Sequence, residues 1–259
     1  VCKYFHFPQN TEKMFYNFVL EHYGTKQAIN FGFGSIPLPD DNHVQAFIEL
    51  FIDLGLRHIY PNRSFDNLGL WSEGSYEQFG LKVEKSDVVV DAGANIGIFS
   101  LYAASKGAKV YAFEPFPEAI RYLRRTLELN PKLAGKITVM PMALMDRTAR
   151  VKLTYVVDHI VSASIVIARG AACQEIPAVA LDELMENNKL PKVTFIKADV
   201  EGAERLVLDG AAMILKKYRP KLAICTYHLK DDPEIIKEKI LTANPSYEIH
   251  QTKYKLFAY

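Results

Sequence analysis

The chain has 259 residues, 49% of them apolar and 24% charged, and carries a net charge of +1. Such values fit a globular chain able to bury a full core, and a charge this close to zero leaves no electrostatic footprint for nucleic acid or an anionic membrane. No apolar run approaches the roughly 20 residues that span a bilayer, no signal-peptide pattern opens the chain, and Cys2, Cys173 and Cys225 lack metal-ligand spacing, so free thiols in a cytoplasmic protein are the expectation.

The chain opens on Val1 rather than Met, which points to a trimmed start. Asn10 or Thr11 is placed to cap a helix running through His22, with Gly24 as its stop. Residues 30–41 are rich in Gly, Pro and Asp and read as a loop. A second helix is predicted from about Asn42 to Leu54, capped by Asp40 or Asp41 and ended by Gly55. Its apolar residues Val44, Phe47, Ile48, Phe51 and Ile52 have helical spacing. Residues 60–80 read as a loop carrying aromatic and acidic side chains. We divide the chain into an N-terminal helical extension, residues 1–70, and a main domain, residues 71–259.

From Val88 strands and helices alternate. Strands are predicted at 88–91, 109–113, 137–141, 150–157, 193–198 and 221–227. Helices are predicted at 96–106, 117–129, 182–188, 203–217 and 233–242, with a less regular segment at 158–178. Two short runs, 246–251 and 254–259, flank Lys253 closely enough to form a hairpin at the sheet edge. This alternation predicts an α/β fold with a doubly wound, mostly parallel, Rossmann-like sheet of seven strands.

The most informative stretch is Val88-Val-Val-Asp-Ala-Gly-Ala-Asn-Ile-Gly97. A β-branched strand followed by a glycine turn and a helix is how α/β proteins hold a nucleotide-like cofactor. In the dinucleotide fingerprint a glycine would stand where this chain has Asn95, and a side chain there crowds a pyrophosphate. No lysine follows to make a phosphate loop. A nucleoside without phosphates is implied, S-adenosylmethionine being the common one. Asp91, Gly93, Ala94, Asn95 and Gly97 are expected at its methionine end, Asp91 reaching the ammonium directly or through water. Glu114, at the tip of the next strand and followed by Pro115, suits the ribose diol, since one carboxylate accepts from both hydroxyls. Ala143 and Leu144, after the third strand, are candidates for the adenine edge.

These residues also resemble a known family. Asp91-Ala-Gly-Ala-Asn-Ile-Gly, Phe113-Glu-Pro, Ala143-Leu with Asp146, Leu181-Asp-Glu-Leu, Lys197-Ala-Asp-Val-Glu-Gly-Ala-Glu and Tyr227-His228 are similar, in order, to the FkbM-type S-adenosylmethionine-dependent methyltransferases. The resemblance runs from about Glu77 to the C-terminus. It implies the class I methyltransferase fold, O-methylation of a hydroxyl on a small molecule or sugar, and a glutamate at Glu77 facing cofactor or acceptor.

Methyl transfer to a hydroxyl needs a group to take its proton. Asp199 follows a strand directly and so lies at the carboxyl edge of the sheet, with Glu201 two residues on and Gly202 freeing the backbone. Glu204 is placed as a helix-start acid. His228 ends the neighbouring strand, where an imidazole can act as base and Asp199 orient it. Asp199 as the base itself, or a divalent metal held by Asp199 and His228, are alternatives, although the acids match no metal signature and no metal is expected. Tyr76, Trp71 and Tyr60 are candidates for an aromatic lid; His159, Ser162 and Ser164 are weak candidates for the acceptor pocket. N-methylation, a catalytically silent methyltransferase-like binding module and an NAD-dependent oxidoreductase are the competing functions. The expected partner is a small-molecule or glycan acceptor, with no nucleic acid and no membrane. The N-terminal helices are read as a cover for the acceptor pocket or a homodimer interface.

Overall fold

The computed structural model describes residues 28–30, 34–37, 74–157 and 163–259. The two N-terminal helices predicted above, Tyr60, Trp71, His159 and Ser162 lie outside these residues. Among the described residues no helix is long and apolar enough to cross a membrane.

A seven-stranded sheet forms the centre. Its first half is β3 (Val88–Ala92), β4 (Lys109–Phe113) and β5 (Ile137–Met140), all parallel. The chain then returns to the other side of β3 with β9 (Phe195–Ala198) and β10 (Lys221–Cys225), again parallel. The final hairpin, β11 (Ile249–Gln251) and β12 (Lys255–Ala258), completes the order β11-β12-β10-β9-β3-β4-β5. The hairpin is present, but only β11 is an edge strand. β12 inserts antiparallel between β10 and β11, because its run Leu256-Phe-Ala is fully buried and needs cover on both sides. Between β3 and β9 the winding reverses, and ligands of open α/β sheets bind at the strand ends there.

Helices α1 (Ile98–Ser105) and α2 (Pro117–Leu129) follow β3 and β4. The one-turn α3 (Pro131–Ala134) leads into β5. Helix α1 starts two residues later than the sequence suggests, with Gly97 as its N-cap in the left-handed region. Alternation along each strand splits the core into two faces. Val89, Ala112, Phe195, Ala223 and Phe257 pack with α1. Val90, Phe113, Ile196, Ala198 and Leu222 face the other layer, with α4 (Leu181–Glu186), α6 (Ala212–Tyr218) and α7 (Asp232–Ala243).

Three expectations need correction. The predicted helix 203–217 is two helices, α5 (Glu204–Asp209) and α6, broken at Gly210. A Cβ on Gly210 would sit 2.0 Å from the Met145 carbonyl oxygen, so the break admits a crossing backbone, and Asp182 caps α6 by accepting from the N–H groups of Met213 and Ile214. The segment taken as irregular contains a strand, β8 (Ala172–Val179). It pairs with β6 (Ala143–Leu144) and β7 (Ala149–Tyr155) in a separate three-stranded sheet. Pro177 disguises β8, since proline is rare inside strands. Finally, the loop assigned to 30–41 holds part of a small hairpin, β1 (Ala28–Asn30) with β2 (Ser35–Pro37). The Asn130 side chain accepts from Ser35 N and donates to its carbonyl, docking this hairpin on α2.

Candidate active site

The turn after β3 closes on the tip of β4. The N–H groups of Gly93 and Ala94 both donate to the Phe113 carbonyl, Asn95 N donates to Glu114 Oε2 at 2.8 Å, and Gly97 N bonds within the turn. None of these four amides is turned outward to cradle a phosphate, which agrees with a phosphate-free ligand. Glu114 Oε1 accepts from Phe116 N at 2.9 Å. Each oxygen thus keeps a further lone pair, which is the capacity a vicinal diol requires. Burial lifts the Glu114 carboxyl to about 7, against the pull of those two N–H groups and the Lys197 charge. Asp91 is fully buried; its Oδ2 accepts from Ser100 Oγ at 2.6 Å and its Oδ1 lies 3.0 Å from Lys197 Nζ.

A row of polar side chains crosses the α1 face of the sheet near its carboxyl edge: Asp91 on β3, Lys197 on β9, Cys225 on β10 and Lys255 on β12. Asp91 is in register with Lys197, and Cys225 with Lys255. Tyr76 lies over the row, 1% exposed, with Lys255 Nζ 4.5 Å and Lys197 Nζ 5.4 Å from its ring centroid. Its hydroxyl donates to Asp199 Oδ2 at 2.8 Å, and the Tyr227 hydroxyl lies 3.4 Å from Asp199 Oδ1. Burial alone would raise the Asp199 carboxyl; Lys197, His228 and Lys255, with the Tyr76 hydrogen bond, hold it below the ordinary range instead. Tyr76 is therefore core and a support for Asp199 rather than a lid.

His228 stands beside this carboxylate with its side chain 1% exposed. Nε2 is 3.6 Å from Asp199 Oδ1 and 3.7 Å from Glu201 Oε2, and Nδ1 is 3.1 Å from Glu204 Oε1. These are ion-pair contacts, as neither ring nitrogen makes an aligned hydrogen bond. Burial opposes a charged imidazole, yet Glu204, Glu201 and Asp199 push its pKa up to about 10. Glu204 does more than favour a helix start: Oε1 accepts from Val200 N and Oε2 from Gly202 N, so it fixes the turn that carries Glu201 as well as the ring. Glu201 takes a left-handed φ of 55°, a conformation that costs a non-glycine residue energy and is held by its surroundings. Arg169 pairs with its Oε2, and the Ser164 hydroxyl donates to its carbonyl. Burial raises the Glu201 carboxyl to about 7, with His228 and Arg169 opposing the shift and Asp199 and Glu204 adding to it.

Other predicted residues fall elsewhere. Glu77 accepts from Val83 N with one oxygen and from the Tyr102 hydroxyl with the other, both at 2.7 Å, which anchors the segment before β3 to α1. Pro115 is half-buried in the turn before α2. Ala143 and Leu144 are buried in β6, paired in register with Ala178 and Val179. Ser164 is buried and holds the turn at 164–167 through Val166 N and Ile167 N. From the sequence, Lys197 and Arg169 have no role of their own and Glu204 is only a helix-start acid. The signal for Lys197 was present, a lysine inside the apolar strand Phe195-Ile-Lys-Ala.

A family model described as the methyltransferase FkbM domain matches residues 91–255, from the first site aspartate to the buried Lys255. The chain belongs to the FkbM methyltransferase family. Among its relatives is hexuronic acid methyltransferase AglP of Haloferax volcanii, 28% identical over 168 residues, or 65% of this chain and 67% of that protein. Methyltransferase sdnD of Sordaria araneosa is 30% identical over 154 residues, 47% of this chain and 59% of the relative. The solved structure of methyltransferase FkbM from Methylobacillus flagellatus KT superposes with a TM-score of 0.56 at 26% identity, covering 86% of this chain and 56% of that one. The chain thus spans between 56% and 67% of the length of these relatives. As an FkbM-family member it has the class I methyltransferase sheet, and the match includes Glu114, Asp199, Glu201 and His228.

Proposed function

We propose that the protein transfers a methyl group from S-adenosylmethionine to a hydroxyl of a small molecule or sugar. The observation that carries this reading is the cluster of His228 and Glu204, both with buried side chains, with the half-buried Asp199 and Glu201 on the same sheet edge as Glu114. The donor set fits the cofactor: Glu114 has lone pairs for a diol, and the glycine turn keeps its amides for itself. Glu114 would hold the ribose, the turn Gly93–Gly97 the methionine end, and the segment after β5 with Ala143 and Leu144 the adenine edge. The cofactor, when bound, supplies an electrophilic methyl carbon.

The chain's own residues divide the acid–base work by charge. His228, with a pKa near 10, is an imidazolium at neutral pH and is poorly placed to accept a proton. Asp199 is ionised but too weak a base to be efficient. Glu201, near 7, matches the pH at which an acceptor hydroxyl has to be deprotonated. The proton therefore goes to the carboxylate side of the cluster, on Glu201, while the imidazolium balances the three carboxylates and Glu204 holds the ring. The hexuronic acid named for AglP makes hydroxylated acidic sugars the first acceptors to try.

Calorimetry with S-adenosylmethionine, S-adenosylhomocysteine and NADH tests the cofactor. Micromolar binding of the adenosyl ligands alone is expected; binding of NADH alone would defeat the reading. A methyl-transfer screen over uronic acids, neutral sugars and amines then tests the acceptor. Transfer only to amines would replace O-methylation by N-methylation.

A further inference from the structure

Lys197 enters the account above only as a charge near Asp199 and Glu114, yet it is among the most buried charges of the described residues, 3% exposed in the centre of the sheet. Removing an ammonium from water costs several kcal/mol unless it is paired and hydrogen-bonded. An apolar residue at this strand position would avoid that cost, so the charge calls for a reason in its contacts. Nζ donates to the carbonyls of Gly93 at 2.7 Å and Ala92 at 3.3 Å, and lies 3.0 Å from Asp91 Oδ1. Two backbone carbonyls accept from the ammonium and the Asp91 carboxylate balances its charge as an ion pair, all on the end of β3 and the turn that follows it. Two residues on, just past the end of β9, is Asp199, whose N–H donates to the Ala92 carbonyl. The two loops touch: a Cβ on Gly93 would lie 1.9 Å from the Asp199 carbonyl oxygen.

We propose that Lys197 is a positioning residue that fixes the glycine turn against the loop bearing Asp199 and Glu201, and so sets where the bound cofactor stands relative to the acid cluster. The inference rests on the cofactor reading given above. Lys197 draws the Gly93 and Ala92 carbonyls down onto β9, while its own strand leads into the acid two residues later. The clamp therefore joins both halves of the site through one side chain. Asp91 neutralises the lysine, and Ser100 fixes Asp91 in turn.

Truncating Lys197 alone would leave the buried Asp91 charge without its partner and lower stability for an unrelated reason. The comparison is therefore made over the cycle of wild type, D91N, K197M and D91N/K197M, because D91N alone leaves the Lys197 charge unpaired in turn. Hydrogen exchange at Ala94 and Asn95 reports the turn without any ligand, and calorimetry with S-adenosylhomocysteine reports its readiness to bind. Adding K197M should speed exchange at both amides and weaken the ligand by about 10- to 100-fold, the worth of a lost charge-assisted hydrogen bond. Replacing lysine by glutamine (D91N/K197Q) keeps a neutral donor and should recover part of both losses, which also carries the test should the methionine variant fail to fold. Equal exchange and equal affinity in D91N and D91N/K197M would overturn the clamp. If wild-type protein did not bind S-adenosylhomocysteine, the cofactor reading alone would fall, and the exchange rates would still decide whether Lys197 holds the turn.

Discussion

At the scale of single residues, burial governs the chemistry of this site. Glu114 and Glu201 have the same side chain as the exposed glutamates of the surface, but desolvation raises both to about 7, and each is kept usable by fixed donors or cations. Glu114→Ala removes the acceptor for Asn95 N and Phe116 N together with the proposed diol contact, and S-adenosylmethionine affinity should fall by about 10- to 100-fold. Calorimetry that showed unchanged affinity would end the ribose assignment. Glu201→Gln should lower methyl transfer by about 100-fold or more, the usual contribution of a positioned base. In the wild type, activity should rise as pH passes about 7 and Glu201 loses its proton. That limb should vanish from the pH–rate profile of the glutamine variant, and its persistence would place the base elsewhere.

At the scale of elements, the site depends on turns that hold strand ends in contact. Gly93 is a glycine for two reasons at once: φ is +76°, and a side chain would meet the Asp199 carbonyl. Gly93→Ala combines a left-handed alanine with overpacking against rigid backbone, a cost of about 2–5 kcal/mol. Thermal unfolding should show a clear drop in Tm, and a Tm within a degree or so of wild type, given about 2–4 °C per kcal/mol at this size, would mean that the two loops separate easily. The same economy of parts recurs in Asp182 and Glu204, acidic residues from the stretches that resemble the family, which cap backbone N–H groups at α6 and before α5.

For the whole molecule, these buried groups link stability to pH. His228 has a folded-state pKa of about 10 against 6.5 when exposed, so between those values the folded protein binds more protons than the unfolded chain. Stability from this group is complete below pH 6.5 and is lost as pH rises towards 10. Glu114 and Glu201, raised from 4.5 to about 7, likewise favour the folded state only while protonated, and their contribution declines between pH 4.5 and 7. Calorimetric scans should show Tm falling steadily from pH 6.5 to 10. The fall should be shallower in His228→Gln, and equal slopes would show that the imidazole carries no net charge in the fold.

The sequence alone determined the alternating sheet, the glycine turn after β3 and the placing of Glu114, Asp199, Glu201 and His228 at strand ends. Strand periodicity, glycine at backbone turns and acids directly after apolar runs are local signals, readable within about ten residues. Tertiary structure decided what those residues do to one another. That His228 is charged, that Tyr76 serves Asp199, that Glu204 holds a ring and that Lys197 clamps the turn all follow from side chains brought together from distant strands. Local pattern carries no trace of such pairings, because a buried charge is defined by partners far along the chain. The same reason hid the separation of α5 from α6, where a crossing backbone at Gly210 settled the outcome, whereas β8 was hidden locally by Pro177.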